Sequence, residues 1–285
     1  MKNINKTKKK LVYLTNRPSP YQVKFCYKLN KYFNAEFWFY DKVERTRPAF
    51  WNIPLGEKCK MIPKVFFKDS SRYFTFTHLN WLKKYNPDIV LLGGLSSPAN
   101  YLAYRWAKRN GKKCVLFTEK SRTKEGKLRK KNFYWSVLTY LYRNIDLIMV
   151  ASADAVPQFK EEFGFGDKVV QSQYPVDIDD LFSHPLRTQK ESYNLIFANR
   201  LIPIYNPMGA IRIFSKLIEK HPNVHLFMNA HGELRKECES YIDSLELNAN
   251  ITFLDKISAW EDLSSIYKKS DIYFFPAEYS NGNLS

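Results

Sequence analysis

Short apolar runs alternate with longer segments whose apolar residues recur at helical spacing, and the alternation repeats along most of the chain. Residues 11–14 (LVYL) read as a buried strand, because a short continuous apolar run bounded by turn-formers suits a strand covered on both faces. The loop TNRPSP that follows is stiffened by Pro18 and Pro20, and residues 21–33 predict a helix. Residues 36–40 (EFWFY) give a second strand. Residues 41–77 carry Pro48, Pro54 and Pro63 and show no order of elements. The pattern then clears: a helix in HLNWLKKY, a turn at Asn86-Pro87-Asp88, a strand IVLL ending in Gly93-Gly94, a helix in SSPANYLAYRWAKRNG and the strand KCVLF. Residues 145–151 (IDLIMVA) predict a further strand with a helix after it. In the second half the alternation is regular, with strands at 194–198, 224–228, 251–254 and 272–275 and helices at 208–220, 233–245 and 260–268. Such alternation predicts the α/β class, with a parallel sheet covered by helices.

Ligands of open α/β sheets bind beyond the carboxyl ends of the strands, so polar residues there carry the candidate chemistry. The clearest is Arg200, in the stretch YNLIFANRLIPIYNP. Ala198 and Asn199 end the strand before it, and Pro203 and Pro207 keep the loop from becoming helical. A guanidinium so placed is either an anion binder or an ordinary surface ion pair. Other strand ends hold Gly94, where backbone can approach a ligand or neighbouring element closely, Glu119, His231 with Gly232, Asp255-Lys256-Ile257, and Glu278.

Charge divides the chain. Residues 1–150 carry 32 Lys and Arg against 9 Asp and Glu, whereas residues 151–285 carry 13 against 19. A boundary near the middle follows. The net charge of +17 suits a polyanion partner: nucleic acid, an anionic membrane or an anionic glycan. Basic residues concentrate in KSRTKEGKLRKK (120–131), which runs into Asn132, Phe133, Tyr134 and Trp135. Basic residues beside aromatics fit a membrane surface or single-stranded nucleic acid, and a solvated charge run before an ordinary helix is the plainer alternative. The membrane patch would comprise Lys127, Arg129, Lys130, Lys131, Phe133 and Trp135. Cys26, Cys59, Cys114 and Cys238 lie far apart without a CxxC pair, which suggests reduced thiols rather than a zinc or redox site. Asp177, Asp179 and Asp180 have no histidine near them and read as turn and helix-cap carboxylates, so no metal is expected. No apolar run reaches the ~18 residues that a span needs, and the run after MKNINKTKKK is too short for a signal peptide.

The order Asn199-Arg200-Leu201-Ile202-Pro203 with Asn206-Pro207 resembles the GRLxPxKNP loop that opens the donor domain of family 4 glycosyltransferases, which are retaining enzymes. IDLIMVAS, Gly164, Lys168-Val169-Val170 and Tyr174-Pro175-Val176-Asp177 resemble the family's domain-closing pattern. Ser280 to Ser285 resembles the start of its EGxxxxxxE motif. The resemblance implies the GT-B fold: two Rossmann-like α/β domains facing across a cleft, an acceptor domain over 1–182, a linker over 183–192 and a donor domain over 193–285 that stops inside the motif and is incomplete.

The same resemblance implies the roles. Arg200 would bind the nucleotide diphosphate. Tyr205 stands where the family has a lysine, and a phenol brings no positive charge. Arg200, Tyr205, Asn206, His231, Gly232, Asp255, Lys256, Ile257, Glu278, Asn281, Gly282 and Asn283 form the expected donor side. Arg17, Tyr21 and Gly94 form the acceptor side, with Arg17 equally readable as a surface arginine. Arg200 and Glu119 are the catalytic candidates, although Glu119 also suits a loop-ordering role. The implied activity is retaining transfer of a sugar from a nucleotide-sugar to a cell-surface glycan or lipid-linked saccharide, in the cytoplasm or at the inner membrane face. No cofactor is expected, and the 285-residue chain is expected to be weakly active or inactive. The alternative is a non-catalytic basic protein that binds nucleic acid.

Overall fold

The computed structural model describes residues 8–43, 47, 49–69, 72–121, 129–173, 192–254 and 262–277. They form two compact units, the first drawn chiefly from residues before 177 and the second chiefly from those after. The expected linker over 183–192 lies, Ser192 apart, outside the described residues.

The first unit opens with β1 (Lys10–Thr15), α1 (Pro20–Leu29) and β2 (Asn34–Phe39). The short strand β3 (Cys59–Met61) and a hairpin of β4 (Phe67–Asp69) and β5 (Arg72–Phe74) follow. Next come α2 (Thr77–Tyr85), β6 (Ile89–Gly93), α3 (Pro98–Arg109), β7 (Lys113–Thr118), α4 (Phe133–Leu141) and β8 (Leu147–Val150). A turn of helix, α5 (Ala155–Pro157), continues as a π-helical turn to Glu162 before β9 (Val169–Gln171). Seven of these strands make one parallel sheet in the order β3-β2-β1-β6-β7-β8-β9. The first helix ends four residues earlier than its apolar spacing suggests. Residues 41–77, which showed no period, supply β3, β4 and β5, strands of three residues each and too short for any alternation to show.

The second unit contains β10 (Tyr193–Phe197), a 3-10 turn (Pro203–Tyr205), α6 (Pro207–Lys220), β11 (Val224–Asn229), α7 (Arg235–Ser244), β12 (Ile251–Leu254), α8 (Asp262–Lys269) and β13 (Ile272–Tyr273). Its parallel sheet runs β12-β11-β10-β13.

A single local device sets the register in both sheets. Asp88, Asp146 and Asp271 each precede a strand, and each exchanges two hydrogen bonds with the neighbouring strand's start. Asp88 gives its N–H to the Lys10 carbonyl and takes the Lys10 N–H on its carboxylate, at 2.9 and 2.8 Å. Asp146 does the same with Cys114 (3.0 and 2.8 Å), and Asp271 with Asn194 (2.8 and 2.9 Å). A one-residue slip would break both bonds and turn the strand's apolar side chains outward.

Packing follows the strand pleat. Leu14, Trp38, Leu92 and Leu116 face α2, α3 and α4, while Tyr13, Phe37 and Phe39 pack with Val23 and Cys26 of α1. In the second unit Leu195, Phe197, Leu226 and Met228 lie against Ile211, Phe214, Cys238 and Ile242. All four cysteines are free and buried. Among the described residues no helix is long and apolar enough to cross a membrane.

Candidate functional site

In the second unit the loop after β10 is tied to the loop after β11, mostly by backbone. The Leu201 N–H donates to the His231 carbonyl at 2.8 Å, and the Leu234 N–H returns to the Leu201 carbonyl at 3.0 Å. The Asn229 side-chain amide donates to the Ala198 carbonyl at 2.9 Å while its carboxamide oxygen accepts from the His231 N–H at 2.8 Å. Gly232 closes this lacing. Its φ of +152° is in the range that favours glycine, and a Cβ there would fall into the backbone of Leu201. Arg200, His231 and Gly232, which lie on different strands' loops, thus meet at one edge of the sheet.

Asn199 is buried, and its amide donates to the Tyr273 hydroxyl at 3.0 Å. Burial pushes the Tyr273 hydroxyl above its ordinary pKa. Asn206 has φ +51° and ψ +54°, and its side-chain oxygen accepts the Gly209 N–H at 3.0 Å, which caps α6 ahead of Pro207. Tyr205 is half-buried and packs toward Phe275, ring centroids 6.1 Å apart. A half-buried arginine beside the positive end of a 14-residue helix makes this edge suited to an anion. Arg235, which sequence reading passed over, opens α7 at the same edge. Its guanidinium stacks 3.5 Å from the Phe253 ring centroid and its Nε donates to Glu239 at 2.7 Å. The i,i+4 spacing of Arg235 and Glu239 on a helix was its only sequence signal.

The carboxyl edge of the first unit holds the other expected residues. Arg17 forms an ion pair with Asp41 at 3.2 Å. Gly94 has φ +97° with open space where a Cβ would point, so its backbone angle requires glycine rather than any close approach. The close approach belongs to Gly93, whose Cβ would lie 3.0 Å from the Thr15 hydroxyl. Asn100, buried, links the two glycines to β2 side: its amide donates to the Gly93 and Gly94 carbonyls at 3.2 and 2.9 Å and its oxygen accepts from Tyr40 at 2.8 Å. Tyr21 and Glu119 are both half-buried near Tyr13. Burial drives the Tyr13 hydroxyl well above its usual pKa against a hydrogen bond from Thr15, and the charges of Tyr21 and Glu119 add to the rise.

Residues 179–283 match the family model described as "Glycosyl transferases group 1". Over these residues the chain is similar to that family, and its fold is GT-B, as in the solved structures below. An uncharacterized glycosyltransferase of Methanocaldococcus jannaschii is 24% identical over 237 residues, 77% of this chain. The chain spans 56% of that relative's length. A solved glycosyltransferase from Rickettsia africae aligns over 96% of this chain and 74% of its own, with a TM-score of 0.65 at 17% identity. The apo lipopolysaccharide outer core galactosyltransferase WaaB aligns over 95% and 75%, with a TM-score of 0.58 at 16% identity. Both structural likenesses speak to the fold.

Against this GT-B background one expectation needs correction. Trp135 does not belong to a surface patch: it is 6% exposed, stacked on Phe163 with ring centroids 3.9 Å apart and planes 7° from parallel. α4 turns Trp135 inward with Leu138, three residues on, as helical periodicity dictates. Arg129, Lys130, Lys131 and Phe133 are exposed. Lys127, Asp255, Lys256, Ile257, Glu278, Asn281, Gly282 and Asn283 lie outside the described residues, as do Asp177, Asp179 and Asp180.

Proposed function

We propose that this chain belongs to a glycosyltransferase that moves a sugar from a nucleotide-sugar to a hydroxyl of a cell-surface glycan or lipid-linked saccharide, with retention of anomeric configuration, at the inner face of a membrane. The observation that carries the reading is Arg200 at the carboxyl end of β10, in a loop laced to His231 and Gly232 and running into the N-terminus of α6. The bond between sugar and diphosphate breaks, the acceptor oxygen takes the anomeric carbon, and the hydroxyl proton leaves with the diphosphate. Negative charge grows on the diphosphate as that bond breaks, and a preorganised guanidinium with backbone amides stabilises it there without a metal ion. Tyr205 and Asn206 complete the donor side, and Arg17, Tyr21, Gly94 and Glu119 serve the acceptor.

Calorimetric titration with uridine, guanosine and adenosine diphosphates tests the donor side directly. Arg200→Ala should weaken the preferred nucleotide roughly 100-fold, and Arg200→Lys should recover part of that because charge returns without the bidentate fork. In an active enzyme the same variant should lower turnover by roughly two orders of magnitude, with product anomers read by NMR. A wild-type chain that ignores every nucleotide yet binds RNA in a salt-dependent way would replace this reading with nucleic-acid binding.

A further inference from the structure

Arg235 is held in the second unit as a fixed plane. Its guanidinium lies over the Phe253 ring, 3.5 Å from the centroid, while Nε donates to Glu239 at 2.7 Å and Nη1 reaches the Ala230 carbonyl at 3.5 Å. Contacts from α7, from the loop after β11 and from β12 thus set its orientation. The side chain is still 22% exposed, on the side away from Phe253. Phe253 pairs in register with Met228, one residue before β11 ends at Asn229. The pair therefore stands at the carboxyl edge of the sheet, level with the start of the loop that carries His231 and Gly232.

The strand order β12-β11-β10-β13 places this pair relative to Arg200, which follows β10. On the β13 side the edge is already filled. Tyr205 packs toward Phe275, the Asn206 amide donates to the Pro276 carbonyl at 3.5 Å, and the Asn199 amide donates to the Tyr273 hydroxyl at 3.0 Å. On the other side come the His231-Gly232 loop and then Arg235 over β12. That position is two strand spacings from the β10 end, about 10 Å, which a ribose and its base together cover. A nucleotide whose diphosphate meets Arg200 has its nucleoside directed toward β12.

We propose that Arg235 is the platform on which the donor's nucleobase stacks, with the base on the guanidinium face opposite Phe253. The assignment rests on the donor reading above and adds to it the residue that binds the base. A second phosphate contact is the competing role for a cation at this edge, and the geometry disfavours it. The Glu239 carboxylate offsets the positive charge, and Nε and Nη1 are engaged by Glu239 and Ala230, so the fork that grips a phosphate is already in use. What is left is a flat, pinned surface. Guanidinium planes stack on rings, every base has a π-face, and a plane fixed before binding loses little freedom when the base arrives.

Calorimetric titration of the 285-residue chain with uridine, guanosine and adenosine diphosphates and with base-free pyrophosphate decides the matter. Wild type should bind its preferred nucleoside diphosphate roughly tenfold more tightly than pyrophosphate. Arg235→Ala should weaken that nucleotide roughly tenfold and leave pyrophosphate within about twofold. Arg235→Lys, which keeps the charge and a partner for Glu239 but not the plane, should lose nearly as much. Arg200→Ala should weaken both ligands and is the reference for a phosphate contact. Three outcomes would overturn the platform and leave the Arg200 reading standing: a wild type that binds pyrophosphate as tightly as every nucleotide, equal losses of both ligands in Arg235 variants of unchanged circular dichroism, or full nucleotide affinity in both Arg235 variants. A wild type that binds neither ligand overturns both.

Discussion

Both units open the same way, with a buried strand, an Asn-Arg pair, a proline-bearing loop and a helix that starts Pro after a capping side chain. Their loops are nevertheless held differently. In the first unit the guanidinium of Arg17 binds Asp41, and Ser19 caps α1 by accepting the Gln22 N–H at 3.3 Å. In the second, the backbone of Leu201 is laced to His231 and Leu234, and Asn206 caps α6 from the left-handed region. Backbone bonds tie the first loop too, the Asp41 N–H donating to the Asn16 carbonyl at 2.9 Å, but there the arginine side chain adds an ion pair to the same residue. In the second unit the bonds between the two loops run through the backbone of Leu201, His231 and Leu234, which a change of the Arg200 side chain leaves in place.

Glycine substitution should break the parallel most sharply. Gly232→Ala forces a Cβ into the Leu201 backbone and an unfavourable φ, so it should cost about 3 kcal/mol in urea unfolding. Gly94→Ala meets open space and should cost about 1 kcal/mol, from backbone conformation alone. A Gly232 variant as stable as the Gly94 variant would mean that the lacing of the second loop is not rigid.

The arginine pair comes next. Arg200→Ala should weaken nucleoside diphosphate binding roughly 100-fold, while Arg17→Ala should leave that binding within about twofold. Equal losses from the two would remove the distinction drawn here.

Acid should separate the units. His78 is buried on α2 with its ring edge-on to Tyr40, centroids 6.2 Å apart, and burial, opposed in part by the Ala99 backbone, pulls its pKa from 6.5 down to about 4. Because the unfolded chain takes up the proton first as pH falls, the stability owed to neutral His78 is whole above its ordinary pKa. It drains as pH drops from 6.5 toward 4. At pH 5 the first unit should have lost about 2 kcal/mol relative to pH 7.5, and His78→Leu should flatten the dependence. Parallel titration curves for wild type and variant would locate the acid sensitivity elsewhere.

The caps give the smallest effect. Asn206→Ala removes a cap and leaves alanine at positive φ, so about 1.5 kcal/mol is expected, against about 0.7 kcal/mol for Ser19→Ala. Thermal melts of the two variants would rank them.

The long elements were legible because their periods are long enough to show. Residues 89–92 and 208–220 lie within β6 and α6, since buried parallel strands read as unbroken apolar runs and an amphipathic helix repeats over several turns. The strand expected over 272–275 is two residues long, Ile272 and Tyr273, with the Phe274 N–H still donating to the Ile196 carbonyl at 2.8 Å, because apolar character does not say where a ladder ends. The basic segment was legible as charge and aromatics, but not as a face: Phe133 and Trp135 are two residues apart, and a helix sends them to opposite sides.

Composition, apolar periodicity and the Asn-Arg loop were enough to determine the α/β class, the repeated strand-loop-helix order and the position of Arg200 at a strand's end. These are properties of neighbours in the chain, and local physics settles them. Only the tertiary structure decided that Leu201 meets His231, that Gly232 lies against Leu201 backbone, and that Trp135 is core. Those facts depend on which strands lie side by side, a choice made by burial across the whole sheet and invisible to any short window of sequence.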